Sequence, residues 1–200
     1  MSEPFEIIHG LPHAMGLQAA DLFYEAFRRK FEPIARSREK AVAVLAEDFD
    51  SERVILAVDS SEKVLGIVGL NYGGRRLANL RWQTFRSHFG PFAGSWKRLA
   101  FSAFMRAQEP GQLQMEGIAV HADARGMGIG SCLLEETCSV ARSVGLATVR
   151  LEVIDTNPRA RALYEREGFQ PGRTHRLPLI GGWFGFSAYT TMLKSVELEH

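Results

Sequence analysis

Hydrophobic positions recur along this chain with two periods, and the changes of period mark its elements. Phe5 to His9 alternates weakly between apolar and polar, as a strand with one covered face does. From Pro12 to Arg29 the residues Ala14, Leu17, Ala20, Leu22, Phe23 and Phe27 follow helical spacing. Val42, Val44, Leu45 and Phe49 do the same over a second helix from Ser37 to Phe49. Two β-rich runs, Val54–Asp59 and Val64–Tyr72, flank Ser60-Ser61-Glu62-Lys63 and read as a hairpin. Strand patterning returns from Gln112 to Val120. A helix over Gly128 to Val144 then carries the stripe Ile129, Leu133, Thr137 and Val140, ended by Gly145. Val149, Leu151 and Val153 line one side of a strand over Ala147 to Ile154. Asn157 and Pro158 supply a cap and a favoured first-turn residue for a helix that stops at Gly168. Thr174–Leu179 and Ser187–Val196 complete the set as two more strands. Such an order predicts an α/β or α+β sheet domain.

Between residues 73 and 111 the character changes. No Asp or Glu occurs from Asn71 through Gln108, while Arg75, Arg76, Arg81, Arg86, Lys97, Arg98 and Arg106 bring seven formal positive charges. Ala78, Trp82, Phe85 and Phe89 share one helical face, and Trp96, Ala100 and Ala103 another. Gly90-Pro91 and Gly94 break the chain between them, which predicts a helical hairpin inserted between the third and fourth strands. This insertion is too short to build its own core, so one domain over residues 1–197 is expected. Leu198-Glu199-His200 resembles the remnant of an affinity tag and is set aside.

Composition narrows the class. With 200 residues, 46% hydrophobic and 24% charged, the chain is long enough to bury a core without staples. A formal charge of +1 provides no global field for nucleic acid or an anionic membrane. No apolar run approaches the ~20 residues of a spanning helix, and MSEPFEIIHG lacks the shape of a signal peptide. A soluble, cytoplasmic protein is the expectation. Cys132 and Cys138 lie six apart on one predicted helix and face different ways, so they cannot bridge each other there. No Cys/His spacing suits a metal, and none is expected.

The sharpest local signal is Arg125-Gly126-Met127-Gly128-Ile129-Gly130, set between a strand and a helix. Alternate glycines let successive N–H groups converge without Cβ obstruction, and the helix start adds unpaired donors and its positive dipole end. The product is an anion cradle suited to a pyrophosphate. It lacks the Lys-Ser/Thr of a P-loop and the Gly-x-Gly-x-x-Gly spacing of a dinucleotide site.

In this context the stretch from Gln112 through Phe169 resembles the acetyl-coenzyme-A-binding core of the GCN5-related N-acetyltransferases (GNAT). Arg125, Gly128 and Gly130 match that family's Arg/Gln-x-x-Gly-x-Gly/Ala signature. Asn157, Ala160, Leu163-Tyr164-Glu165 and Gly168-Phe169 match its second block, about 30 residues on. Residues 112–169 are thereby identified as the acetyl-CoA-binding core, and residues 1–72 fit the family only in element order. The resemblance implies a mixed, splayed β-sheet flanked by helices. It also implies that Ile118, Ala119 and Val120 pair with the pantetheine arm, one backbone N–H, that of Ile118, polarising the thioester carbonyl. Arg125, Gly126, Met127, Gly128, Ile129, Gly130 and Ser131 would hold the pyrophosphate through main-chain donors. Asn157 would contact the pantetheine region, and Tyr164 would sit near the sulfur.

Chemistry then suggests roles. A phenol of reference pKa ~10 can protonate a departing thiolate of reference pKa ~8.5, which makes Tyr164 the candidate general acid. Glu116, two residues from Ile118 and expected on its face, is the candidate base for an ammonium acceptor. Binding the substrate, or pairing with an arginine of the insertion, are its alternatives. Gln114 stands where some relatives carry a basic glutamate. His121, directly after the strand, could relay a proton but reads first as a surface-turn residue, and His88, among the insertion's aromatics, is an equally weak candidate. No histidine near Cys132 supports it as a nucleophile. The resemblance implies direct attack by a primary amine in a ternary complex, without a covalent acyl-enzyme. A non-catalytic CoA-binding module, a longer acyl donor and a hydroxyl acceptor are the alternative readings. The insertion is expected to pack on the sheet or seal a homodimer, or else to recognise an acceptor bearing carboxylate or phosphate. The 181–186 loop faces the same choice between groove wall and subunit contact. Aromatic interleaving with Arg is also a nucleic-acid pattern, but no nucleic-acid or membrane partner is expected.

Overall fold

The computed structural model describes residues 5–102, 109–177 and 185–198. Its seven strands are β1 (Glu6–His9), β2 (Val54–Val58), β3 (Val64–Asn71), β4 (Gln112–Val120), β5 (Thr148–Ile154), β6 (Gln170–Arg176) and β7 (Ala188–Ser195). They form one sheet in the order β1-β2-β3-β4-β5-β7-β6. Every neighbouring pair is antiparallel except β4 and β5, which run parallel at the centre. β2 and β3 are buried at every position, as unbroken apolar runs covered on both faces should be.

Each face has its own core. Helices α1 (Gly16–Ala26), α2 (Arg28–Ala35) and α3 (Arg38–Asp48) cover one face, burying Phe23, Tyr24, Leu45 and Phe49 with Leu56, Ile67 and Ala119 of the sheet. The insertion's hairpin, α4 (Trp82–Phe89) and α5 (Pro91–Ser102), joins this layer through Phe85 and Phe101. On the opposite face lie α6 (Ile129–Ser143) and α7 (Pro158–Arg166). There Ile129, Leu133, Leu134 and Tyr164 pack on Leu113, Met115, Val149 and Leu151.

The expected GNAT-type sheet is present, and the structure differs from the sequence reading in several places. The first helix does not run unbroken from Pro12 to Arg29. A short 3-10 turn precedes α1, Phe27 interrupts it at φ −110°, ψ 19°, and α2 follows. Arg28-Arg29-Lys30 and Pro33 mimic a helix stop, yet Phe31 stacks on Phe101 at 5.4 Å and carries the apolar stripe onward. Gly94 does not break the insertion but lies inside α5. A Cβ there would meet the Phe85 carbonyl oxygen at 2.8 Å, so glycine lets α5 close onto α4. β6 starts at Gln170, directly after Phe169, earlier than Thr174. Finally, part of the insertion's positive charge is taken up by groups outside it. Buried Asp48 caps α4, accepting from Arg81 N–H at 2.9 Å, Arg81 Nε at 2.8 Å and Thr84 Oγ1 at 2.8 Å. Arg75 pairs with Asp50 and Glu52, and His88 with Glu47 at 2.7 Å. The buried Lys97 ammonium donates to the Ile34 and Ala35 carbonyls that end α2. Acids and carbonyls outside the insertion thus hold it down. Residues 103–108 of the insertion, 181–184 of the expected loop and 199–200 lie outside the described residues; Phe186 is buried.

Candidate active site

The parallel pair at the centre of the sheet is short. β4 and β5 are in register only at Gln112↔Thr148, Leu113↔Val149 and Gln114↔Arg150, and the strands part beyond Gln114. A cleft of about 860 Å³ occupies the opening and connects the two faces of the sheet. Hydrogen-bond alternation decides what β4 offers it. His121 N–H donates to the Leu65 carbonyl at 2.8 Å, and the β3–β4 register continues through Ile67↔Ala119 and Gly69↔Gly117. In an antiparallel ladder such pairs alternate, so Ala119 and Gly117 turn their polar groups to β3. Ile118 and Val120 turn theirs into the opening, where β5 has withdrawn. Of the three expected backbone partners, Ala119 therefore contributes surface rather than hydrogen bonds.

At one mouth of the cleft stands the glycine turn. Gly126 and Gly128 have φ of 85° and 84°, a region that penalises side chains, and nothing lies within 4 Å of a Cβ built on either. Gly128 caps α6, and the first α6 bond in place there is Cys132 N–H to Gly128 O. The N–H groups of Ile129, Gly130 and Ser131 thus lack an intrahelical acceptor. Arg125, Gly126, Gly128, Ile129, Gly130 and Ser131 all line the cleft, whereas the Met127 side chain is exposed. The Ser131 hydroxyl bonds Glu167 Oε1 at 2.6 Å, leaving its backbone N–H as its contribution. Arg159 and Arg166 of α7 also line this side. The sequence reading missed both, although they lie four before and three after Leu163 on the same helical face.

α7 brings two expected residues to the opening. Asn157 lines it, but its Oδ1 accepts from Ala160 N–H at 3.1 Å and caps the helix, leaving the amide nitrogen for a ligand. Tyr164 is buried against Phe169, ring centroids 6.1 Å apart. Burial pushes its phenol above the ordinary value, so it stays protonated.

Glu116 lies on the other face, and the reason is a bulge. Gly69 faces Gly117 but Leu70 faces Met115, which leaves Glu116 as the extra residue of β4. The alternation resets there: Ile118 packs with the α6 side and Ala119 with the α1 side. The expectation that Glu116 shares Ile118's face is thereby corrected. Its carboxylate accepts from Asn71 Nδ2 at 3.1 Å and Leu77 N–H at 3.2 Å. Burial carries its pKa from the ordinary 4.5 to about 7, against the opposing pull of Arg76 and these two donors. Gly117 next to it has no side chain because Phe27 is there; a Cβ would come within 2.6 Å of that ring.

Beside Glu116 the cleft holds Gln114, 4% exposed, whose Oε1 makes no hydrogen bond among the described residues. Glu152 of β5 lines it too, with Arg150 at 3.7 Å. The sequence reading missed Glu152, although it alternates with Leu151 and Val153 and so faces the Glu116 side. His88, His121 and Cys132 do not line the cleft. No group of three or more potential metal ligands occurs among the described residues, and no helix among them is long and apolar enough to cross a membrane.

Comparison with known proteins agrees with this architecture. A family model described as "Acetyltransferase (GNAT) family" matches residues 19–169. The chain is similar to a mycothiol acetyltransferase of Beutenbergia cavernae, 34% identical over 77 residues, 38% of this chain and 26% of that protein. It is also similar to a thialysine N-epsilon-acetyltransferase of Bos taurus, 40% identical over 58 residues, 29% of this chain and 34% of that protein. The matches thus span about a quarter to a third of those relatives' lengths. Among solved structures, a GCN5-related N-acetyltransferase from Kribbella flavida superposes with TM-score 0.64 at 19% identity, covering 97% of this chain and 99% of that one. The ribosomal-protein-S18-alanine N-acetyltransferase from Escherichia coli gives 0.56 at 17% identity, covering 98% and 96%. At these identities the likeness concerns the fold.

Proposed function

The chain belongs to the acetyltransferase (GNAT) family, and from that premise we propose that it transfers the acetyl group of acetyl-CoA to a primary amine by direct attack. One observation carries this reading. A single cleft joins the glycine turn and the outward-turned backbone of Ile118 and Val120 to Glu116 on the opposite face of the sheet. The turn suits a pyrophosphate because its glycines leave room for close backbone approach. Arg125, Arg159 and Arg166 add positive charge at that mouth. Acetyl-CoA, as donor substrate, supplies the activated thioester.

The chain's own groups then divide the work. Glu116, with a pKa of about 7, takes the proton from the acceptor's ammonium near neutral pH and frees its lone pair. The Ile118 N–H, aimed into the opening, stabilises negative charge building on the thioester oxygen. Tyr164 gives its phenolic proton to the thiolate as the C–S bond breaks, and recovers one from solvent.

Calorimetric titration with acetyl-CoA, CoA and dephospho-CoA tests the donor site, and thiol release with an amine panel tests transfer. Micromolar acetyl-CoA binding followed by amine-dependent thiol release is expected. A folded protein that binds none of the three refutes the reading, and one that binds but releases no thiol with any amine is a CoA-binding module.

A further inference from the structure

The two halves of the cleft are built from different chemistry. The donor half is backbone and guanidinium. The acceptor half, on the α1–α3 face, keeps most of its polarity on the floor, where Glu116, Gln114 and Glu152 line the opening between β4 and β5. Its walls are apolar: Phe27, Phe31, Phe49, Leu77, Leu80 and Phe101. The rings are locked against one another, with Phe27 4.6 Å from Phe23 and Phe31 stacked at 5.4 Å on Phe101. Lys30 is the cation lining this half, its ammonium 5.4 Å from the centre of the Phe27 ring. Of the insertion's described basic residues, Arg76 alone is seen to act on this half, and its field falls on Glu116. Arg75 and Arg81 are held by Asp50, Glu52 and Asp48, and Lys97 by backbone carbonyls.

Resting on the acetyl-transfer reading, we infer that the acceptor is a primary amine on an apolar ring- or chain-bearing body, its nitrogen seated at Glu116 and Gln114. Gln114 is the second, independent pointer. Gln114 lines the cleft, and its buried Oε1 makes no hydrogen bond among the described residues, an arrangement that favours a small shift of the side chain toward an arriving donor. An ammonium or amine N–H is such a donor. A carboxylate or phosphate on the acceptor would instead meet the Glu116 and Glu152 carboxylates at the floor and phenyl rings at the walls. An acidic acceptor, the alternative reading of the insertion's formal charge, is therefore disfavoured. Binding energy comes from burying the apolar body, and position from the polar floor.

The test compares kcat/KM for 2-phenylethylamine and hexylamine with ethanolamine, putrescine and glycine at saturating acetyl-CoA. Burial of a ring or chain of this size predicts a preference of about 10- to 100-fold for the apolar amines. Phe31→Ser, at a half-buried position, narrows that ratio about tenfold. Equal or better use of ethanolamine, putrescine or glycine overturns the inference and leaves acetyl transfer standing. If no amine is acetylated although acetyl-CoA binds, the transfer reading fails, and titration of the same amines onto the CoA-loaded protein decides the pocket separately. Selective binding of the apolar amines there keeps the pocket's preference for an apolar amine while its role as acceptor falls, and unselective or absent binding ends both.

Discussion

Glu116→Gln is the perturbation that separates a titrating base from a structural carboxylate. Glutamine retains the volume and one acceptor for Asn71 or the Leu77 N–H, but it cannot ionise. In the wild-type fold burial raises the carboxyl from 4.5 to about 7, so the folded state holds the proton more tightly than the unfolded chain. The associated stability is fully present below 4.5 and is lost as pH rises through about 7. Between those limits it amounts to about 2–3 kcal/mol, the shift converted and trimmed for water at the cleft mouth. Urea unfolding at about pH 4 and about pH 9 measures it: this part of the wild-type pH dependence should vanish in the variant. In kinetics, wild-type kcat/KM should climb through an inflection near 7 as the base form appears. The variant should lose that inflection and about 10²- to 10⁴-fold in rate. A variant with the wild-type stability difference between the two pH values, or with the inflection intact, would refute the argument.

Three other changes probe the rest of the site. Tyr164→Phe should lower kcat about 10²-fold or more while acetyl-CoA affinity stays within twofold; unchanged turnover removes it from proton donation. Gly128→Val forces a β-branched side chain to φ 84°, a strain of about 1–2 kcal/mol, and blocks the turn. Calorimetry should show acetyl-CoA binding weakened tenfold or more, and undiminished affinity would contradict the anion cradle. Asp48→Ala removes a buried acceptor of three hydrogen bonds from Arg81 and Thr84. Unfolding should show a loss of about 2–4 kcal/mol, with the hairpin's amides exchanging fastest; an even change across the sheet would mean Asp48 does not anchor it.

The amino-acid sequence by itself determined the elements whose signals are local. Asn157-Pro158 caps and opens α7, the paired glycines of residues 126–128 permit only a turn before α6, and Val149, Leu151 and Val153 alternate onto one core. It also determined the donor half of the candidate site, because backbone donors at a helix start depend on glycine spacing more than on distant contacts. The acceptor half depended on long-range packing. The bulge that turns Glu116 away from Ile118 is a mismatch of register between β3 and β4, and no property of β4 alone reveals it. Likewise, Arg75 and Arg81 carry no mark of the Asp48, Asp50 and Glu52 partners that hold them, since those lie 23 to 33 residues earlier. α2 hid for the same reason: Arg28-Arg29-Lys30 and Pro33 resemble a stop, and contacts with the distant α5, Phe31 on Phe101 and Lys97 on the last carbonyls, make the turn worth continuing. Local chemistry marks where unpaired backbone donors gather at a helix start. Which side chains meet across the sheet is decided by register and packing between segments far apart in the chain.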